Sequence, residues 1–178
     1  MMFFRKKPAG DGEESKAAET AEAQFAFIHK ALLVVDGSRP SLEASDFAVN
    51  FARQTGCELL ATFVVDTATL DYLQQMRIFV SEEREELEHD LERKGRRYLD
   101  AVQELGQKHK LHIATHICHG RFHQTVLKLA RELEVDLMII GGWKYEIKQK
   151  DSSSVERQLI MDLAECPVIV VKKCDERR

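Results

Sequence analysis

The sequence predicts an α/β domain, an open five-stranded parallel sheet with helices on both faces. Three observations carry this. Five short runs rich in Val, Ile and Leu punctuate the chain between residues 29 and 172. A helically periodic stretch separates each from the next. The chain has 178 residues, which suits one such domain with a tail. Strands in this alternation need crossover connections, and crossovers build parallel sheets covered on both sides.

The first run, His29 to Asp36, is continuously apolar between Ala31 and Val35 and ends in polar turn residues. Residues 41–55 follow with Leu42, Ala44, Ser45, Phe47, Ala48, Phe51 and Ala52 on one helical face. Pro40 and Ser41 suit the start of that helix, and Gly56 suits its stop. Cys57–Asp66 is the second strand, and 67–80 is a mixed, helical connection. Ser81 opens a long charged helix to about residue 109, with a narrow stripe of Leu87, Leu91, Tyr98, Val102 and Leu105. The stripe suits packing on a sheet better than a coiled coil. Leu111–Cys118 alternates as the third strand, and a helix at 122–134 points Val126, Leu127, Leu129, Ala130 and Leu133 inward. Asp136–Gly142 is the fourth strand. Ser153 begins a helix with Val155, Leu159, Ile160 and Leu163 as its apolar face, and Cys166–Lys172 is the fifth strand.

Residues 1–28 are expected to be a mobile acidic tail, 29–173 the folded domain and 174–178 a short C-terminal tail. The stretch from Pro8 to Gln24 is small, polar and acidic and cannot bury enough surface to offset its ordering entropy. Composition narrows the function. A formal charge of −4 argues against nucleic acid as a partner. No apolar run approaches the ~20 residues of a membrane span. Met1–Phe4 precede the basic Arg5–Lys7, the reverse of an export signal, so a cytoplasmic protein without stable membrane association is expected. The cysteines Cys57, Cys118, Cys166 and Cys174 show no CxxC spacing and read as thiols in a reducing compartment.

In open α/β sheets a ligand sits beyond the carboxyl ends of the strands, where the strand order reverses. Order 3-2-1-4-5 places that crevice between Asp36-Gly37-Ser38 and Gly141-Gly142. Order 2-1-3-4-5 would join strand 1 to Cys118-His119-Gly120 instead. The glycines favour the first order, because only strand 4 ends in residues that let a backbone approach a ligand.

Val34-Val35-Asp36-Gly37-Ser38, Phe63-Val64-Val65-Asp66, Gly120, Val135 to Gly141 and Cys166 to Val171 stand in the order and spacing of a known family. Over residues 29–173 the chain resembles the universal stress proteins. The resemblance implies the 3-2-1-4-5 sheet of the adenine nucleotide alpha hydrolase-like fold, dimers through the last strand, and regulation of stress responses rather than catalysis. Some members bind ATP through G-x-x-G-x9-G-[ST], beginning at the glycine that ends strand 4. Counted from Gly141, the second and third glycines fall on Lys144 and Ser154, with Val155 where Ser or Thr belongs. A one-residue shift places Ser153-Ser154-Val155 over G-S-V, still without the glycine. The phosphate loop is thus degraded, since Lys and Ser supply positive φ and close-packed amides poorly.

If ATP or AMP binds, the resemblance implies Asp36 at the ribose, the Val64 backbone at the adenine, and Gly141, Gly142, Lys144, Ser153, Ser154 and Val155 about the phosphates. The competing readings are plainer. Asp36 would cap the following helix. Ser153 and Glu156 would form a capping box that occupies the helix N–H groups. Trp143 would cover a loop rather than stack on a base. A genuine ATP- or AMP-sensing domain is the alternative function, and an ATPase ranks below both.

His112, His116, Cys118, His119 and His123 cluster in sequence, but their strand phase opposes convergence on one metal ion. No nucleophile elbow, Walker loop or dinucleotide glycine motif occurs, so no catalytic residue and no metal is assigned. Val168, Ile169, Val170 and Val171 would form an exposed sheet edge, which antiparallel pairing with a second copy would satisfy in a homodimer.

Overall fold

The computed structural model describes residues 28–78, 80–142 and 152–172, with side chains of the last stretch from Val155 onward. The tails, Trp143 and Lys144 lie outside these residues, as do the side chains of Ser153 and Ser154.

The strands are β1 (Lys30–Val35), β2 (Glu58–Val65), β3 (Ile113–His119), β4 (Leu137–Gly141) and β5 (Val168–Val171). All pairings are parallel, in the order β3-β2-β1-β4-β5. The connecting helices are α1 (Arg39–Thr55), α2 (Thr67–Gln75), α3 (Ser81–Lys108), α4 (Phe122–Glu132) and α5 (Ser152–Leu163). The expected fold class and strand order are therefore observed, with most boundaries moved by one or two residues.

Strand alternation divides the core in two. Ala31, Leu33, Val35, Leu59, Ala61, Phe63 and Val65 pack with Ala44, Ala48 and Ala52 of α1 and Leu99 and Val102 of α3. The alternate residues Leu32, Val34, Leu60, Val64, Met138 and Ile140 pack with Val126, Leu129 and Ala130 of α4 and Ile160 of α5. The helices before and after the order reversal thus cover opposite faces, as right-handed crossovers demand. The long charged helix lies on the sheet: Gly95 and Gly106 bring its backbone against Phe63 and Ile113.

Two helix faces differ from expectation. In α1 the buried residues are Ser41, Ala44, Ser45, Ala48, Val49 and Ala52, while Leu42 and Phe47 are exposed. Small residues face the sheet, so the helix sits close and its larger side chains turn outward. In α5, Val155 and Leu163 are 44% and 55% exposed, and the buried positions are Arg157 and Ile160. The face that packs lies a fraction of a turn from the one the apolar periodicity predicts.

Gly141 has a packing role. A Cβ there would stand 2.5 Å from the Ser41 backbone nitrogen and 2.6 Å from the Pro40 carbonyl carbon. The strand order inferred from this glycine is observed, but the room it leaves is filled by the first turn of α1. Gly141→Ala should therefore lower stability by about 2 kcal/mol, because backbone cannot be displaced as a side chain can. Urea unfolding at an unchanged m-value is the measurement, and a midpoint equal to wild type would remove this role.

Candidate functional site

The β1–β4 register runs to Val34↔Ile140, after which the two strand tips lead apart into α1 and the loop before α5. This is the crevice that the order reversal creates. On its other flank the β1–β2 register ends at Val35↔Phe63. Val64 therefore lies one residue past the last β1 pair, while still opposite Cys118 of β3.

The loop from Asp36 to Ser41 satisfies itself. Asp36 Oδ1 accepts the Ser38 N–H at 2.9 Å, and Gly37 takes φ +76° between them. Ser38 is the N-cap of α1, its hydroxyl accepting the Ser41 N–H at 3.3 Å. The Ser41 hydroxyl donates to the Ser38 carbonyl at 3.0 Å and accepts the Asp36 N–H at 3.4 Å. The helix is thus capped by Ser38 rather than by Asp36, and the aspartate holds the capping residue in place. Tyr98 of α3 stands over the turn, since a Cβ on Gly37 would lie 2.3 Å from its ring. Its ring also stacks on Phe63 at a centroid distance of 6.1 Å.

Asp36 follows Leu32 and Val34 in phase, so its side chain turns toward the α4–α5 face. There its Oδ2 accepts from the Arg157 guanidinium of α5, whose residue is 7% exposed. Burial alone pushes the Asp36 carboxyl up. The Ser38 hydrogen bonds, the Arg157 charge and Ser41 together outweigh it and hold the group below its ordinary value. The carboxylate is therefore ionised and engaged on both oxygens.

Glu156, the residue before Arg157, reaches α4: His123 is buried there, and Glu156 Oε2 meets its Nδ1 at 2.6 Å and accepts its backbone N–H at 2.9 Å. α5 starts at Ser152, and Glu156 braces the start of α4; the expected capping box rests on the Ser153 side chain, which lies outside the described residues. Of the nucleotide-site candidates, Asp36, Val64, Gly141 and Gly142 meet at the crevice; both glycines are buried by the protein's own chain. A Cβ on Gly142 would stand 2.5 Å from Lys172 Cγ. Val155 is exposed on α5. Lys144 and the Ser153 and Ser154 side chains fall outside the described residues.

The histidine cluster is spread out. His116 and Cys118 are half-buried in β3, His112 and His119 are exposed, and His119 Nε2 approaches Glu88 and Glu92 at 4.0 and 3.9 Å. Among the described residues no three of these ligand types gather as a metal site would require. No helix of those residues is long and apolar enough to cross a membrane. The sequence reading missed Arg157 and the position of Tyr98. The available signal for Arg157 was its place three residues before Ile160, on the face that turned out to pack.

Asp36→Asn should cost about 3 kcal/mol, because it withdraws a carboxylate from a buried guanidinium, and the double variant with Arg157→Met should regain most of it. The depressed Asp36 value also sets the pH sense. Its contribution is complete above the unfolded carboxylate value and disappears as pH falls through the lower folded value. Stability measured by urea from about pH 6 to pH 3 should therefore fall less steeply in Asp36→Asn than in wild type. Parallel curves would show that this group does not carry the acid limb.

The model of the universal stress protein family matches residues 28–172. A universal stress protein of Methanocaldococcus jannaschii is 28% identical over 145 residues, covering 81% of this chain and 82% of that protein. The solved structure of the universal stress protein UspA from Lactobacillus plantarum superposes with a TM-score of 0.65 at 23% identity, covering 82% of this chain and 98% of the other. A universal stress protein family protein of Arabidopsis thaliana, solved with AMP bound, gives 0.58 at 15% identity, covering 83% and 93%. These two structures share the fold of the five-stranded domain described above. With its described core spanned from end to end by the family's pattern, the chain belongs to the universal stress protein family.

Proposed function

We propose that this chain is a non-catalytic regulatory domain of stress response, whose nucleotide crevice is closed at rest by its own ion pair. The observation that carries this is the Arg157 guanidinium on the Asp36 carboxylate. The resemblance gives that carboxylate to a ribose, and here both its oxygens are engaged. A nucleotide needing Asp36 must compete with a buried partner. Two of the three phosphate-loop glycines are also replaced in the sequence. Both features lower affinity, and the second bears most on a triphosphate. Among the described residues nothing in the crevice supplies a base or nucleophile aimed at a phosphoryl group, and turnover is not part of the reading.

The alternative, a genuine AMP or ATP sensor, has one observation in its favour. Val64 lies beyond the last β1 pair, where its backbone stands at the edge of the crevice, and a relative of the same fold carries AMP. Isothermal titration with AMP and ATP separates the two. The closed-crevice reading expects dissociation constants of about 1 mM or weaker, with ATP no tighter than AMP. Micromolar binding of either nucleotide would establish the sensor instead, and phosphate release above a protein-free control would be required to add an activity.

The same reading includes a homodimer. β5 ends the sheet, so among the described residues one row of its backbone groups has no strand beside it, and Val168 to Val171 are all half-buried. Antiparallel pairing about a two-fold axis would satisfy that row. Light scattering at micromolar concentration should return twice the 20.4 kDa chain mass. A monomer mass would rule the pairing out.

A further inference from the structure

Four of the eight exposed large apolar residues among those described fall between Tyr72 and Val80. Tyr72, Met76, Ile78 and Val80 are each 58% exposed or more, at the turn that joins α2 to α3. The turn is built to hold them there. Arg77 takes φ +57°, its N–H donates to the Gln74 carbonyl at 2.9 Å, and the Ile78 N–H donates to the Leu73 carbonyl at 3.0 Å. These are the two bonds of a helix stop that ordinarily places glycine at the left-handed position. Arg84 donates to Asp71 Oδ1 through Nε at 3.0 Å and Nη2 at 2.7 Å, and Gln74 Nε2 donates to Ser81 Oγ at 3.1 Å. The two helices are thus tied together on either side of the turn. Apolar side chains that a fixed turn keeps in water, gathered in so short a stretch, mark a surface for another molecule.

The charge beside this tip selects its occupant. From Ser81 to Asp90, α3 carries six acids against Arg84 alone among its lysines and arginines. Arg84 is taken by Asp71 and Glu88, and Glu83 accepts the Val80 N–H. Glu82, Glu85 and Glu86 are exposed and make no hydrogen bond or ion pair among the described residues. They line a shallow groove along α3, where the other charges are matched in the pairs Asp90–Arg93 and Glu92–Arg96. Three uncompensated carboxylates within two turns of Val80 therefore favour a cationic partner. The same charge opposes two other occupants. Pairing of the tip with its own copy about a two-fold axis would bring two sets of free acids together. An anionic lipid surface would repel them.

We propose that the α2–α3 tip is a docking surface for a basic amphipathic segment of a partner protein. The segment seats its apolar residues on Tyr72, Met76, Ile78 and Val80, and its lysine or arginine side chains on Glu82, Glu85 and Glu86. The apolar contact supplies affinity, while the carboxylates select the sign of the partner and speed its approach. The surface shares no residue with the crevice, so this goes beyond the nucleotide reading and does not depend on it.

The probe is a peptide of about 18 residues with Leu and Lys at helical spacing, titrated by calorimetry into the full chain. The expected result is saturable binding of one peptide per chain. It should weaken about tenfold in Met76→Gln/Ile78→Gln and about tenfold in Glu82→Gln/Glu85→Gln/Glu86→Gln. The second variant should also lose most of the salt dependence. All five side chains are exposed, so both variants should keep the wild-type urea midpoint. No binding, or binding that either variant leaves unchanged, would overturn the proposal. Partition of the wild-type chain onto phosphatidylcholine vesicles would overturn it too, since the tip would then serve a membrane. So would a mass by light scattering that is lower for Met76→Gln/Ile78→Gln than for wild type, since the partner would then be a second copy.

Discussion

Asp36 and Arg157 join the tip of the central strand to the one helix that follows the last crossover but one, and the arrangement of the crevice follows from that contact. An isolated guanidinium could not be kept almost free of water in a protein interior; its desolvation is tolerable only with a carboxylate and hydrogen bonds around it. Asp36 supplies the carboxylate because the Ser38 and Ser41 network fixes its direction. The loop beyond β1 is therefore specified twice, by its own hydrogen bonds and by a charge on the other side of the sheet. The alternation of β1 makes this inevitable: a residue in phase with Leu32 and Val34 must look toward α4 and α5.

Much of the fold was legible in the sequence because it depends on quantities a sequence displays. Runs such as Leu32 to Val35 and Met138 to Ile140 are apolar on both faces, which only a doubly covered strand requires. Gly56 ended α1 and Ser81 opened α3 as written, since caps and stops are local chemistry. Helix facing was less legible. Leu42 and Phe47 looked like core residues, yet small side chains took the sheet-facing positions. Close approach of helix to sheet is a property of two elements together, and one element's periodicity does not report it.

The site was harder to read for the same reason. The contact between Asp36 and Arg157 spans 121 positions in the chain, and nothing local to either residue announces the other. Nothing in the spacing of Glu156 announces that a histidine buried on the neighbouring helix offers it both an N–H and a ring nitrogen. Local spacing states which bonds are available within a helix; it is silent on the tertiary partners. Gly141 shows the converse, where the strand order drawn from it held although its open side faces protein.

The contact at Gly141 has a mechanical consequence. Backbone meets backbone there, with no side chain between β4 and the first turn of α1 to act as a cushion. Any push on the outer surface of α1, where Leu42 and Phe47 stand in solvent, is delivered to the end of the sheet as a rigid displacement. A protein seated on that outer surface would therefore hold a lever on the notch, without entering it.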